Sequence, residues 1–236
     1  MTVLFPISTD SRPLRRSLKR GLAREAVARA RVCEANHSHL FAALRQAAPN
    51  RRARERTVLR LRRMPGIVRA GISGGCLVVV VRNTCTMVTR TEGVELFTEE
   101  ALIYSRMTIG WNKGSMNSWI TRASFSLHAL ERLVERSGCA MGRDFLGAID
   151  AEAAVLLKHM LDGEIIEHDE DSYLRAKDKG VWAGSVDFTP PEQVWGAPQA
   201  DARVPTFSAR TFLGPDEMKP CVWLRWQDDP RLALVA

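Results

Sequence analysis

His128, Arg132 and Arg136 recur at four-residue intervals in the segment Ser-Phe-Ser-Leu-His-Ala-Leu-Glu-Arg-Leu-Val-Glu-Arg-Ser-Gly, residues 124–138. On a helix, residues four apart stand one above another, so these three side chains would share a face. An imidazole titrates near neutral pH and can take or give a proton, while guanidinium groups hold phosphate through paired N–H donors. The combination suits an anionic, phosphate-bearing substrate. It also fits an ordinary solvated face, because Glu131 and Glu135 stand at helical spacing from the arginines and each such pair contributes a few tenths of a kcal/mol.

The chain must supply a helix to hold these groups, and the same segment predicts one. Ser126 is suited to cap its start, and Gly138 to end it in the left-handed conformation. The intervening residues make about three turns. Leu127, Leu130, Leu133 and Val134 fall on one side, opposite His128, Arg132, Glu135 and Arg136.

Charge marks a second region. Residues 1–63 carry 16 Lys plus Arg against 4 Asp plus Glu, whereas the remainder has a balance of −5 within a total of +7. After an irregular lead-in over 1–13, residues 14–47 are rich in helix formers. Pro49-Asn50 breaks that run, and a second helix over 51–63 stops before Pro65-Gly66. Arg51, Arg52, Arg54, Arg56, Arg60, Arg62 and Arg63 are therefore candidate nucleic-acid contacts. An Arg-rich helical pair has two natural partners: phosphates, or an acidic surface on this chain or another.

The rest reads as strands with helices between them. Residues 76–81 form a β-branched run expected as a buried central strand, with a partner over 84–91 after a turn at Arg82-Asn83. Residues 96–107 are expected to form a short helix through Glu99-Glu100 and then a strand, followed by a polar loop over 111–119. A helix over 142–163 presents Phe145, Leu146, Ile149, Ala153, Leu156, Leu157 and Met160 to a core, with His159 at its end. The charged stretch 164–179 suggests a solvated hairpin or loop. Strands are expected over 180–188 and 204–213, separated by a Pro-containing loop over 190–201, and 221–226 reads as a last strand or a short helix. The fold class is α+β: a basic helical region over 1–65, then a domain over 66–236 with a small, mostly antiparallel sheet packed with two helices.

Several classes are disfavoured. The longest apolar run, 76–81, is far short of a membrane span. Five widely spaced cysteines without Cys-x-x-Cys indicate reduced thiols in a cytoplasmic setting. No secretory signal is evident, and the histidines at 37, 39 and 168 lack a zinc ligand set. Gly71-Ile-Ser-Gly-Gly75 lacks the Lys of a P-loop, and no nucleophile elbow is present. No metal or other cofactor is expected. The six tryptophans can stack on bases or fill a core, the latter being the commoner use.

At Ser126, His128-Ala129, Glu131-Arg132 and Glu135-Arg136 the sequence resembles toxin-like endoribonucleases, the grouping of barnase, colicin-type tRNases, EndoU-like enzymes and RelE-type toxins. The pattern is a Ser or Thr before His-Ala-x-x-Arg-x-x-x-Arg at a helix start. Thr211, within Ser-Ala-Arg-Thr-Phe-Leu at 208–213, looks like the late sheet-borne Thr of such families. The matching residues span about a quarter of the chain.

The resemblance implies metal-independent RNA cleavage, in which the 2′-hydroxyl attacks the adjacent phosphate. His128 would act as base or acid, Arg132 and Arg136 would stabilise the phosphorane charge, and Thr211 or Arg210 would orient the phosphate. RNA would be the substrate, and an inhibitory antitoxin or immunity protein the partner. The alternative is a non-catalytic nucleic-acid-binding or adaptor protein working through the Arg-rich helices. A third reading makes those helices a docking arm for another subunit.

Overall fold

The computed structural model describes residues 12–45, 50–91, 94–112, 115–142, 144–189 and 203–228. Its centre is one eight-stranded sheet, larger than the small sheet expected, with the strand order β1-β2-β3-β4-β8-β7-β6-β5. The strands are β1 (Ile67–Ser73), β2 (Cys76–Thr91), β3 (Val94–Asn112), β4 (Ser115–Ser126), β5 (Ile166–His168), β6 (Asp171–Arg175), β7 (Val181–Thr189) and β8 (Val204–Leu213). Two antiparallel meanders, β1–β4 and β5–β8, meet along a single parallel pair, β4 with β8. The α+β class and the mostly antiparallel pairing are as the sequence indicates.

Among the described residues, six helices dress the sheet: α1 (Arg12–Val32), α2 (His37–Arg45), α3 (Arg51–Leu61), α4 (Leu127–Arg136), α5 (Phe145–Asp162) and α6 (Pro220–Gln227). Helices α1, α4 and α5 cover one face. Their apolar residues, among them Ala26, Val27, Leu130, Leu133, Ile149 and Leu156, bury against Tyr104, Phe125, Trp182 and Phe212. Those four rings form an edge-to-face chain with centroids 5.7, 4.8 and 5.3 Å apart, the offset geometry that aromatic quadrupoles favour. The opposite face is covered by α2 and α3 at one end, through Leu40, Leu44, Val58 and Leu61. At the other end Val222 of α6 packs on Ile166, Tyr173 and Val181. The basic helices thus share their cores with the sheet, and the strand run at 76–81 is apolar because both of its faces are covered.

Several expectations need correction. The run over 14–47 is two helices, because the chain breaks between α1 and α2. Instead of turning at Arg82-Asn83, β2 continues through both residues as one 16-residue strand. Arg82 is paired there with Asp150, and Asn83 with the His37 ring, partners that let these polar side chains sit within a covered strand. No helix forms at Glu99-Glu100, which lie within the 19-residue β3. The loop expected over 111–119 is largely strand: Trp111 pairs with Met116 in the β3–β4 hairpin, and residues 113 and 114 lie outside the described residues. The charged stretch 164–179 is a hairpin, β5–β6, with Ser172, Tyr173 and Leu174 buried rather than solvated. Of the two readings of 221–226, strand or short helix, the helix is the one that forms, within α6.

The helix over 51–63 and the strand over 204–213 match α3 and β8. Pro65-Gly66 does end the α3 segment: Gly66 has φ +71°, and a Cβ there would strike the Ala35 backbone. The lead-in over residues 1–11 and the loop over 190–201 fall outside the described residues. Among the described residues, no helix is long and apolar enough to cross a membrane.

Candidate functional site

Strand β4 runs directly into α4, and Ser126 sits at the junction. Its extended backbone ends the strand, and its hydroxyl accepts a hydrogen bond from the Ala129 amide at 3.1 Å, satisfying one of the first turn's unpaired donors. The Glu99 carboxylate of β3 takes another, from the His128 amide at 2.6 Å, where the positive end of the helix dipole favours an anion. At the other end, Ser137 performs the capping expected of Gly138. Its amide and hydroxyl both donate to the Leu133 carbonyl, and Gly138 does not adopt a left-handed conformation. Leu130, Leu133 and Val134 are buried as their spacing requires, and Leu127 packs against the same core.

The polar face is only partly open. His128 is exposed, and the Arg132 Nε donates to its Nε2 at 3.4 Å, a long bond in which the ring nitrogen must act as acceptor. Arg132 also donates to Glu135 at 2.9 Å. Glu135 is the hub of this face. Only 7% exposed, its carboxylate accepts from Arg16 at 3.0 Å and Lys19 at 2.8 Å, both of α1, as well as from Arg132. These hydrogen bonds, led by that from Lys19, hold its carboxyl down at about 2, well below the usual carboxylate range. Arg15, 4% exposed, completes the docking of α1 by donating to the Val134 and Cys139 carbonyls past the end of α4.

Arg136 is directed elsewhere. It donates to the Phe212 carbonyl at 2.8 Å, approaches the Thr211 hydroxyl at 3.4 Å, and pairs with Glu217 at 3.0 Å in the short 3-10 turn Pro215–Glu217. The adjoining cleft of about 350 Å³ is lined by Arg12, Arg15 and Arg136 and equally by Glu135, Asp216 and Glu217. His128 and Arg132 do not line it. The four residues singled out for catalysis therefore form two pairs, His128 with Arg132 and Arg136 with Thr211; Arg132 and Arg136 are one turn, about 6 Å, apart along the helix axis but bond to different partners. Arg210 points to Asp171 of β6, at 3.5 Å.

The arginines of α3 stand differently. Asn50 caps this helix by accepting from the Ala53 amide at 2.7 Å, and Ala53, Thr57, Val58 and Leu61 turn inward. Three arginines are tethered: Arg51 to Glu55 at 2.9 Å, Arg62 to the Ala70 carbonyl at 2.9 Å, and Arg54 to the Gly75 carbonyl while lying over the Trp111 ring. Arg52, Arg56 and Arg60 of α3 fall within about 80° of one another at 100° per residue, Arg63 follows in the turn after the helix, and all four are exposed. Of these, Arg52, Arg56 and Arg63 have no side-chain partner among the described residues.

Two further pairings are not evident in the sequence, although His168 itself is weighed there as a metal ligand. His168 accepts or donates at 2.9 Å to the Cys221 thiol at the start of α6, and Asp169 lies 3.3 Å from the same ring nitrogen. Arg69 and Arg106 meet Lys158 in a cleft against α5. A guanidinium within the strand-forming run at 102–107 is the signal that could have drawn attention to Arg106. His159 pairs with Glu164, and among the described residues no cluster of three or more His, Cys, Asp or Glu could hold a metal ion. Trp182 is fully buried and Trp119 is 57% exposed. No family model, curated protein or solved structure matches this chain.

Proposed function

We propose that this chain is a nucleic-acid-binding protein, with RNA as its partner, that grips the phosphate backbone through the solvent face of α3. One observation carries the reading: Arg52 and Arg56 share an exposed helix face, Arg63 follows in the turn just beyond it, and no carboxylate among the described residues pairs with them. A guanidinium that is already desolvated and paired must give up that partner before it can take a phosphate. An unpaired, exposed one gives up only water and releases the strand's counterions. The test is fluorescence anisotropy with a single-stranded RNA of about 20 nucleotides. Binding should weaken steeply as salt rises, should fall about tenfold or more in Arg56→Glu, and should be unchanged in His128→Ala. Salt-insensitive binding, or an undiminished affinity in Arg56→Glu, would refute it.

A second reading is metal-independent cleavage of RNA, with an inhibitory protein partner as its corollary. It is supported by the exposed imidazole of His128 and the Arg132 guanidinium 3.4 Å from it. Against it stand Glu135 and Glu217, which already engage Arg132 and Arg136. Cleavage that persists in EDTA and disappears in His128→Ala would establish this reading. Intact RNA after prolonged incubation at high protein concentration would dismiss it.

A further inference from the structure

Strand register places Arg69 of β1 and Arg106 of β3 on either side of Val80 of β2, on one face of the sheet. Neighbouring strands lie about 4.8 Å apart, so the two guanidinium stems rise roughly 10 Å from each other. Helix α5 forms the opposite wall, bringing Lys158 and Asp162 into a cleft of about 320 Å³. Three cations thus face one carboxylate. No hydrogen bond or ion pair joins any of the four side chains to another described residue, and the Arg106 Nε is buried without a partner.

Burial, and next the charge of Arg69, lower the affinity of Arg106 for its proton. Arginine stays protonated regardless, so the cost remains in the fold unless an anion offsets it. Other buried guanidinium groups are engaged from within the chain: Arg82 by the Asp150 carboxylate, and Arg15 by two carbonyls. Arg106, half-buried beside the exposed Arg69, has Asp162 in the same cleft but no hydrogen bond or ion pair among the described residues.

We propose that this cleft is an oxyanion site for a phosphate group, held between Arg69 and Arg106 with Lys158 closing over it. Planar N–H donor pairs match phosphate oxygens in a way a single ammonium does not, and the net charge of +2 from these four side chains suits a phosphate or pyrophosphate. The inference does not depend on the α3 reading. The two surfaces adjoin, however, because Gly71 and Ile72 line both this cleft and the groove beside α3. The phosphate can therefore belong to a nucleic-acid backbone crossing the β1 edge or to a free phosphate compound.

Isothermal titration of the full chain with inorganic pyrophosphate tests the site directly. Saturable binding is expected, about tenfold weaker in Arg106→Gln and several-fold weaker in Lys158→Glu, and unchanged when Arg52, Arg56 and Arg63 are replaced by Gln. Lys158 is exposed, so Lys158→Glu keeps the proposal testable even if Arg106→Gln fails to fold. The absence of saturable binding, or equal affinities in wild type and Lys158→Glu, would overturn the proposal. In a second arm, pyrophosphate competes with labelled RNA. Displacement identifies the backbone as the source of the phosphate, and pyrophosphate binding without displacement identifies a free phosphate compound. Loss of RNA binding in the α3 variant alone, with pyrophosphate binding intact, would separate the two proposals.

Discussion

Two arginine-bearing helices of this protein, α4 and α3, look alike in sequence and differ in what faces them. On α4, Arg132 is engaged by Glu135, and Arg136 by Glu217. On α3, Glu55 engages Arg51, while Arg52, Arg56 and, in the turn just after it, Arg63 face solvent with no partner among the described residues. The basic helix α1 sides with α4: its Arg15, Arg16 and Lys19 are spent on that helix's carbonyls and on Glu135. A run of cations therefore says little until the opposing element is known. The same residue type is structural cement in one place and an open contact in another.

That contrast can be broken or sharpened by substitution. The largest effect on stability is expected at Glu135. Glu135→Leu leaves Lys19 and Arg132 part-buried without their shared acceptor, and should cost about 2–4 kcal/mol in urea unfolding. A milder expectation concerns acid. Because the folded carboxyl of Glu135 is held at about 2, below its ordinary value of 4.5, its contribution is complete above the ordinary value and is lost as pH falls from there toward 2. Acid unfolding of Glu135→Gln should thus be shallower than that of wild type over this window, and identical slopes would show that the cluster is not held as described. On the other helix, Asn50→Ala removes one cap and should cost about 1 kcal/mol. Smallest of all, replacing Arg52, Arg56 and Arg63 together by Gln should change the unfolding free energy by less than about 0.5 kcal/mol, since these side chains hold nothing in place. A loss comparable to that of Glu135→Leu would erase the distinction between the helices.

Local chemistry in the sequence was enough to place α3, between Asn50 and Pro65-Gly66, to place β8, and to recognise Ser126 as a cap. It was not enough for β2 and β3, because Arg82, Asn83, Glu99 and Glu100 resemble breakers when read alone. Arg82 and Asn83 are tolerated in a covered strand only because Asp150 and His37 arrive from distant parts of the chain. The candidate site follows the same rule. His128 and Arg132 are one turn apart and meet as their spacing requires. The partners that redirect Arg136, Thr211 and Glu217, come from a strand and a turn far along the chain, and no periodicity announces them. Arg69 and Arg106 likewise become neighbours of Val80 only through sheet register.

The most direct test of the central claim is the salt dependence of RNA affinity in wild type, in the Arg52→Gln/Arg56→Gln/Arg63→Gln variant and in Arg132→Gln. If the unpaired arginines of α3 hold the backbone, the slope of log K against log salt should shrink by about 2 in the α3 variant, some 0.7 for each lost contact, and stay at the wild-type value in Arg132→Gln. A wild-type slope in the α3 variant, with the loss appearing instead in Arg132→Gln, would contradict the account and return the function to the face of α4.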